Sequence, residues 1–248
     1  MAIVATKPWS LRAVVPDVSF IGWDFDGTLV HSQRAQVESW RVAFERLLPA
    51  EVRERVQAVV RHRHESGRFF GMSAEIFGLL EAAAALPPEL SCPEQVDGWV
   101  AEARAEAMLS LARGGQLRLD PGARALSLGL ASVPQAICTS NPRALAPTVD
   151  QVLGDLGALM TVRIFGEDTP PKPDPACWRE AARRLGVGWH RAIIIEDNLE
   201  VIERLRDEGE VALVIGIAGG ESVDSYLGEL GAADDGVILV DGLRDVRS

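Results

Sequence analysis

One stretch decides the fold of this chain: Phe20-Ile21-Gly22-Trp23-Asp24-Phe25-Asp26-Gly27-Thr28-Leu29. Its apolar first half predicts a buried strand, and two carboxylates one residue apart follow directly. Because strand side chains alternate between faces, Asp24 and Asp26 leave the strand on the same side. Gly27 permits a sharp turn, which holds both acids at the carboxyl end of the strand. Carboxylates this close repel each other, so the pattern predicts a bound divalent cation, a division into acid and base, or both.

The composition narrows the class of protein. The chain has 248 residues, 47% of them hydrophobic, which suffices for one large domain or for a core with an inserted subdomain. Its formal charge of −11, from 36 acidic and 25 basic residues, argues against nucleic acid or an anionic membrane as the main partner. Cys92, Cys138 and Cys177 are too few and too far apart for a disulfide scaffold or a zinc cluster.

The first residues of the chain do not match a secretion signal, because Lys7, Pro8 and Arg12 interrupt the apolar runs. No apolar run approaches the length of a membrane span. We therefore expect a cytoplasmic protein, monomeric or homodimeric, that binds neither nucleic acid nor membrane.

The spacing of apolar residues divides the chain into two parts. Across residues 31–114 the apolar residues repeat at helical spacing, as at Trp40 and Phe44, without a convincing strand. Further along, helical repeats alternate with continuous apolar strands, which is typical of a parallel sheet covered on both faces. The sequence thus predicts a doubly wound parallel α/β core at residues 1–30 and 115–248, with an α-helical cap inserted at residues 31–114.

In the alternating part, the elements can be placed from the same periodicities. The predicted helices are 122–131, 142–153, 175–185, 199–208 and 223–230. The predicted strands are 135–138, 162–165, 192–195, 211–217 and 237–240.

Ligands of such sheets bind beyond the carboxyl ends of the strands. The polar residues that follow the predicted strands are Asp24 and Asp26, Thr139-Ser140-Asn141, Lys172, and Glu196-Asp197-Asn198. Carboxylates hold a hard cation, while hydroxyl, amide and ammonium groups bind phosphoryl oxygens. The set is therefore suited to a metal-assisted phosphate site.

Four motifs, in this order, resemble those of the haloacid dehalogenase superfamily: Asp-Phe-Asp-Gly-Thr-Leu (24–29), Thr-Ser-Asn (139–141), Lys-Pro-Asp-Pro (172–175) and Glu-Asp-Asn (196–198). The resemblance extends from about Ile21 to Val214. It is to the phosphatase branch with a helical cap, which includes phosphoglycolate phosphatase and β-phosphoglucomutase. It implies a Mg²⁺-dependent enzyme that hydrolyses a small phosphate ester through an aspartyl phosphate.

The resemblance also implies roles for the acids. Asp24 is then the nucleophile and a Mg²⁺ ligand, and Asp197 is a second ligand through its side chain. Asp26 is the general acid and base, and it binds the metal through its backbone carbonyl. For Glu196 two interpretations stay open: it binds a water on the metal, or it supports the site structurally.

The same resemblance assigns the phosphate-binding groups. Thr139, with Ser140 and Asn141, binds the phosphoryl oxygens, and Lys172 neutralises the charge that the nucleophile shares with the phosphoryl group. Asn141-Pro142 also fits a helix N-cap and first turn, and the two roles are compatible.

In the cap, Arg68 and Phe70 beside Gly71 are expected to contact the leaving group. A sugar phosphomutase is an open alternative, although Phe70 and Ala74 stand where the mutases have basic residues. A non-catalytic protein that binds phosphorylated ligands is a second alternative. His31 and Gln33 stand where family members commonly have acids, which leaves the substrate undetermined.

Overall fold

The structure is a computed structural model, and it describes residues 3–4, 9–10, 17–66, 72–217, 236–240, 242–243 and 246–247. The chain divides into two compact units. The first unit comprises Met1–His31, Arg118–Arg143 and Val152–Ser248, and the second comprises Ser32–Leu117 and Ala144–Gln151. Of the helices in the described ranges, none combines the length and the apolar character that crossing a membrane requires.

The strands of the described residues all belong to the first unit. They are β1 (Ile3–Val4), β2 (Trp9–Ser10), β3 (Phe20–Trp23), β4 (Val30–His31), β5 (Arg118–Leu119), β6 (Gln135–Cys138), β7 (Met160–Ile164), β8 (Ala192–Glu196), β9 (Leu213–Ile217), β10 (Val237–Val240) and β11 (Val246–Arg247). Seven of them form one sheet in the order β1-β10-β9-β8-β3-β6-β7, and every pair in it is parallel.

The α-helices of the described residues occur in both units. In chain order they are α1 (Gln33–Leu47), α2 (Ala50–Ser66), α3 (Met72–Ala82), α4 (Val96–Arg113), α5 (Pro121–Gly129), α6 (Ala146–Leu153), α7 (Ala176–Leu185) and α8 (Leu199–Glu208). Helices α5, α7 and α8 lie between strands of the parallel sheet in sequence. The alternation confirms the predicted doubly wound α/β fold.

The centre of the sheet is buried on both faces. All residues of β3 and β8 are buried, as the continuous apolar sequence of these strands predicts. Trp178 of α7 packs against β3 at Gly22, where an added Cβ would lie 2.9 Å from the Trp178 ring and 2.7 Å from Ile194 Cδ1. Gly22 therefore allows α7 to approach the sheet closely.

The second unit contains helices α1–α4 and most of α6. The buried faces of α1–α4 share one apolar cluster that includes Trp40, Phe44, Ile76, Leu80 and Val100. Within the described part of this unit the regular elements are helical, as the periodicity of residues 31–114 predicts.

The structure differs from several of the sequence-based elements. The helix predicted at 142–153 begins only at Ala146, after a 3₁₀ turn at Arg143–Leu145. Pro147 has no N–H for an i→i−4 bond, so an α-helix can begin at this point but not run through it. Strands β4 and β5 pair as a short antiparallel ladder. Each strand has only two residues, too few for the apolar–polar alternation that identifies a strand in the sequence. The helix predicted at 223–230 lies outside the described residues.

Candidate active site

The order of the strands brings the predicted site residues together. Strand β3 lies between β6 and β8, with Trp23 opposite Ile137 on one side and Ile195 on the other. The residues after these positions therefore emerge at the same edge of the sheet. Asp24 continues the ladder, since its N–H donates to the Ile195 carbonyl at 2.9 Å. Asp24 thus starts from a backbone position fixed by the centre of the sheet.

Lys172 connects two buried carboxylates at this edge. Its Nζ donates to Asp24 Oδ1 at 2.5 Å and to Glu196 Oε2 at 2.7 Å. Nζ also lies over the face of the Trp178 ring, 4.7 Å from the ring centre. The lysine is therefore held on three sides and is not a solvated surface residue.

Glu196 binds more than the lysine. Its Oε1 accepts the backbone N–H groups of Asp197 at 3.1 Å and of Asn198 at 3.0 Å. Its exposure is 1%, so these contacts satisfy a carboxylate that water does not reach. Glu196 thus fixes the turn that carries Asp197, a role that the sequence left open.

The acids of the site repel one another. Burial raises the pKa of Asp24 well above its ordinary value, Glu196 raises it further, and Lys172 opposes the shift. Burial and Glu196 likewise raise the pKa of Asp197 to about 8. Burial alone would lower the pKa of Lys172, but Asp24 and Glu196 outweigh it and raise that pKa well above its usual range. One lysine does not balance three carboxylates, so the arrangement favours an additional cation.

Three carboxylates are close enough to hold such a cation. Asp24, Glu196 and Asp197 each offer an oxygen, and these oxygens all lie within 4.8 Å of one another. Hard oxygen donors suit Mg²⁺ or a similar divalent ion. The donor set therefore fits the metal that the sequence predicts, although Glu196 already uses both oxygens in hydrogen bonds to Lys172 and the backbone.

The carboxylate of Asp197 rests against the turn after β3. Thr28 Oγ1 donates to Asp197 Oδ1 at 3.2 Å. Gly27 has a φ of +83°, and an added Cβ would lie 1.9 Å from Asp197 Oδ2. The glycine is thus required twice, for its left-handed backbone and for the space that Asp197 occupies.

The turn after β6 reaches the second acid of the pair. The side-chain amide of Asn141 donates to Asp26 Oδ2. The N–H of Asn141 donates to Thr139 Oγ1 at 3.1 Å, and both residues are buried. Ser140, between them, is exposed. The structure therefore places the 139–141 turn beside Asp26, while Arg68 and Phe70 lie outside the described residues.

Sequence reasoning missed two features of the site. It did not identify Thr28 as a partner of Asp197 or Trp178 as the ring below Lys172. Thr28 lies within the 24–29 motif and Trp178 lies three positions after the 172–175 motif, but only their types, a hydroxyl and an aromatic, were available as signals.

The chain is similar to several known proteins. A family model of haloacid dehalogenase-like hydrolases matches residues 19–209. A CBBY-like protein of Arabidopsis thaliana is 32% identical over 116 residues, which are 45% of this chain and 36% of that protein. The match therefore spans only about a third of the plant relative.

Solved structures that share the fold include the following two. CbbY from Rhodobacter sphaeroides in complex with phosphate is 20% identical, with a TM-score of 0.63 over 92% of this chain and 96% of that one. A predicted phosphoglycolate phosphatase from Haemophilus somnus is 19% identical, with a TM-score of 0.62 over 92% and 96% of the two chains. Since the family model covers well over half of the chain, this protein belongs to the haloacid dehalogenase-like hydrolases.

Proposed function

We propose that the protein is a Mg²⁺-dependent phosphatase that hydrolyses a small phosphate monoester, of the sugar phosphate or phosphoglycolate type. The observation that carries this proposal is the pairing of Asp24 with Lys172 at the edge of the sheet, next to Asp197. A carboxylate and an ammonium group so arranged can receive a phosphoryl group and neutralise its charge.

In the first step, an oxygen of Asp24 attacks phosphorus, and the bond from phosphorus to the leaving oxygen breaks. Asp26 gives its proton to that leaving oxygen. In the second step, Asp26 accepts a proton from water as the water oxygen attacks phosphorus. The bond between Asp24 and phosphorus breaks, which releases phosphate and restores both carboxyl groups. Lys172 balances the charge on Asp24 and the phosphoryl oxygens throughout.

The remaining residues hold the participants in place. The Thr139 hydroxyl and the 139–141 backbone would bind phosphoryl oxygens. Asp24, Asp197 and the Asp26 carbonyl would hold Mg²⁺. Glu196 would support them through its hydrogen bonds to Lys172 and to the backbone of the 197–198 turn. Bound Mg²⁺ would offset the repulsion between Asp24 and the phosphate dianion.

Asp26 favours phosphate hydrolysis over dehalogenation. A halide leaves as an anion and needs no proton, whereas an alkoxide does. An acid two residues after the nucleophile is therefore useful for an ester substrate.

A panel of phosphate monoesters tests the proposal. With Mg²⁺, the protein is expected to release inorganic phosphate from at least one metabolite ester, and chelation of the metal is expected to stop the release. Isomerised sugar phosphate that depends on a bisphosphate activator would instead identify a mutase. Phosphate binding without turnover on any member of the panel would identify a binding protein and overturn the phosphatase proposal.

Replacing Asp26 with asparagine is expected to slow alkyl phosphate hydrolysis by about 10²–10⁴-fold, the usual contribution of a general acid or base. The amide keeps the size of the side chain but cannot transfer the proton. Steady-state kcat/KM measures the effect. Asp155→Asn is the matched control, because Asp155 is an exposed partner of Arg124 on the surface. Equal rates in the two variants would refute the role of Asp26.

Gly27→Ala is expected to lower kcat/KM by about 10²-fold, since the new Cβ displaces the Asp197 carboxylate and misplacing a site group by 1 Å costs about this much. Gly186→Ala is the control: Gly186 also has a left-handed φ of +70°, but nothing lies within 4 Å of its Cβ position. Both variants are expected to lose stability from backbone strain, measured by thermal unfolding. Activity should separate them, and an equal loss in both would show that Asp197 does not depend on Gly27.

A further inference from the structure

We infer that Asn141 is a positioning residue for Asp26: its side-chain amide fixes the orientation in which the Asp26 carboxyl group transfers its proton. The inference rests on the proposed function, since it assigns a task within that reaction. It adds to the phosphoryl-binding role that the sequence predicts for Asn141.

The hydrogen bond between the two side chains is the first observation. Asn141 Nδ2 donates to Asp26 Oδ2, and Asn141 is 9% exposed. The terminal torsion of an aspartate side chain is broad, so a carboxylate rotates unless a partner fixes it. A donor on one oxygen therefore selects one orientation of the whole carboxyl group.

The second observation is that Asn141 is itself held firmly. Its N–H donates to Thr139 Oγ1 at 3.1 Å, and its carbonyl accepts the Gly166 N–H at 2.9 Å. Gly166 packs so closely that an added Cβ would lie 2.7 Å from the Ser140 carbonyl oxygen. The amide thus projects from a turn braced by two strand ends, as a positioning group requires.

The amide geometry allows both roles at once. A side-chain amide has two N–H donors that point in different directions. One is used on Asp26, which leaves the second for the phosphoryl oxygen that the proposed binding role requires. Binding and positioning must therefore be separated by a measurement that responds to proton transfer alone.

The leaving group provides that measurement. A 4-nitrophenolate leaves readily without a proton, whereas an alkoxide depends on protonation by Asp26. Loss of phosphoryl binding lowers kcat/KM equally for both kinds of ester. Loss of Asp26 positioning lowers kcat/KM further for the alkyl ester. The comparison isolates this step because kcat/KM reports only the steps up to departure of the leaving group.

The experiment compares Asn141→Ala and Asn141→Ser with the wild type on 4-nitrophenyl phosphate and on the alkyl phosphate that the panel selects, both with Mg²⁺. In both variants, kcat/KM for the alkyl ester is expected to fall about 10-fold or more beyond the decrease for the nitrophenyl ester. This is a fraction of the total rate contribution of Asp26. In the Asp26→Asn background, the same substitutions should leave the ratio of kcat/KM between the two esters unchanged. Asn141 then has no proton-transferring group to position, so the effects of the two residues are not additive. The serine variant keeps a small polar side chain, and thermal unfolding confirms that the variants are folded.

Two results would overturn the inference, and they are distinguishable. If the wild type is active but both esters lose kcat/KM by the same factor, Asn141 only binds the phosphoryl group and the phosphatase proposal stands. If the wild type hydrolyses neither ester, the proposed function fails and the inference fails with it.

Discussion

Replacing Asp24 with asparagine is expected to abolish phosphate release, with a loss of at least about 10⁴-fold in kcat, the scale on which removal of a nucleophile acts. The neutral amide cannot attack phosphorus. The variant is expected to fold, because asparagine has nearly the size of aspartate and Lys172 keeps its bond to Glu196. Phosphate release with Mg²⁺ measures the activity, and thermal unfolding checks the fold.

Asp155→Asn again serves as the matched control for Asp24→Asn, and it is expected to keep the wild-type rate. A folded Asp24→Asn variant that retained a tenth of the activity would contradict the assignment of Asp24 as the nucleophile. Activity lost together with the fold would instead show that Asp24 is needed for stability.

Among the substitutions proposed here, Lys172→Met is expected to lower the free energy of unfolding most. The expected decrease is about 3–5 kcal/mol, the usual cost of removing one partner from a buried ion pair. Methionine fills similar space but leaves Asp24 and Glu196 without their shared cation. The side chains of Asp24, Lys172 and Glu196 are exposed by only 9%, 11% and 1%, so water cannot replace the lost contact. The midpoint of urea unfolding without metal measures the change.

A second substitution separates charge from packing. Lys172→Met combined with Glu196→Gln is expected to recover much of the lost stability, since glutamine removes one buried charge and still accepts the backbone N–H groups of residues 197 and 198. Activity should not return, because the phosphoryl charge is still not neutralised. If Lys172→Met unfolds at the wild-type urea concentration, Lys172 does not provide the charge balance of the site.

The parts of the fold that the sequence predicted correctly have strong periodic signals. Strands β6 and β10 and helix α8 have the predicted bounds, because apolar runs or an amphipathic face are bordered by polar residues or glycine. The start of α6 was predictable in principle from Pro147. The short strands β4 and β5 were not, since pairing over two residues depends on which distant segments meet.

The residues of the site also divide into those that the sequence could predict and those that it could not. Polar residues at strand ends could be selected because parallel strands present their carboxyl ends to one edge of the sheet. Periodicity alone could not show that β3 lies between β6 and β8. The grouping of these strand ends into one site came from the resemblance of the four motifs. The bond of Asn141 to Asp26 joins residues 115 positions apart. The bonds of Glu196 likewise depend on side-chain geometry, which residue order does not determine.

The most direct test of the account is to find the residue that carries the phosphoryl group during turnover. The enzyme is mixed with a hydrolysed ester and Mg²⁺, quenched rapidly and treated with borohydride, which reduces an acyl phosphate to an alcohol. Peptide mass spectrometry is expected to show homoserine at position 24 and unchanged aspartate at position 26. Phosphate release at the normal rate with position 24 unmodified, or with the label on another residue, would contradict the account.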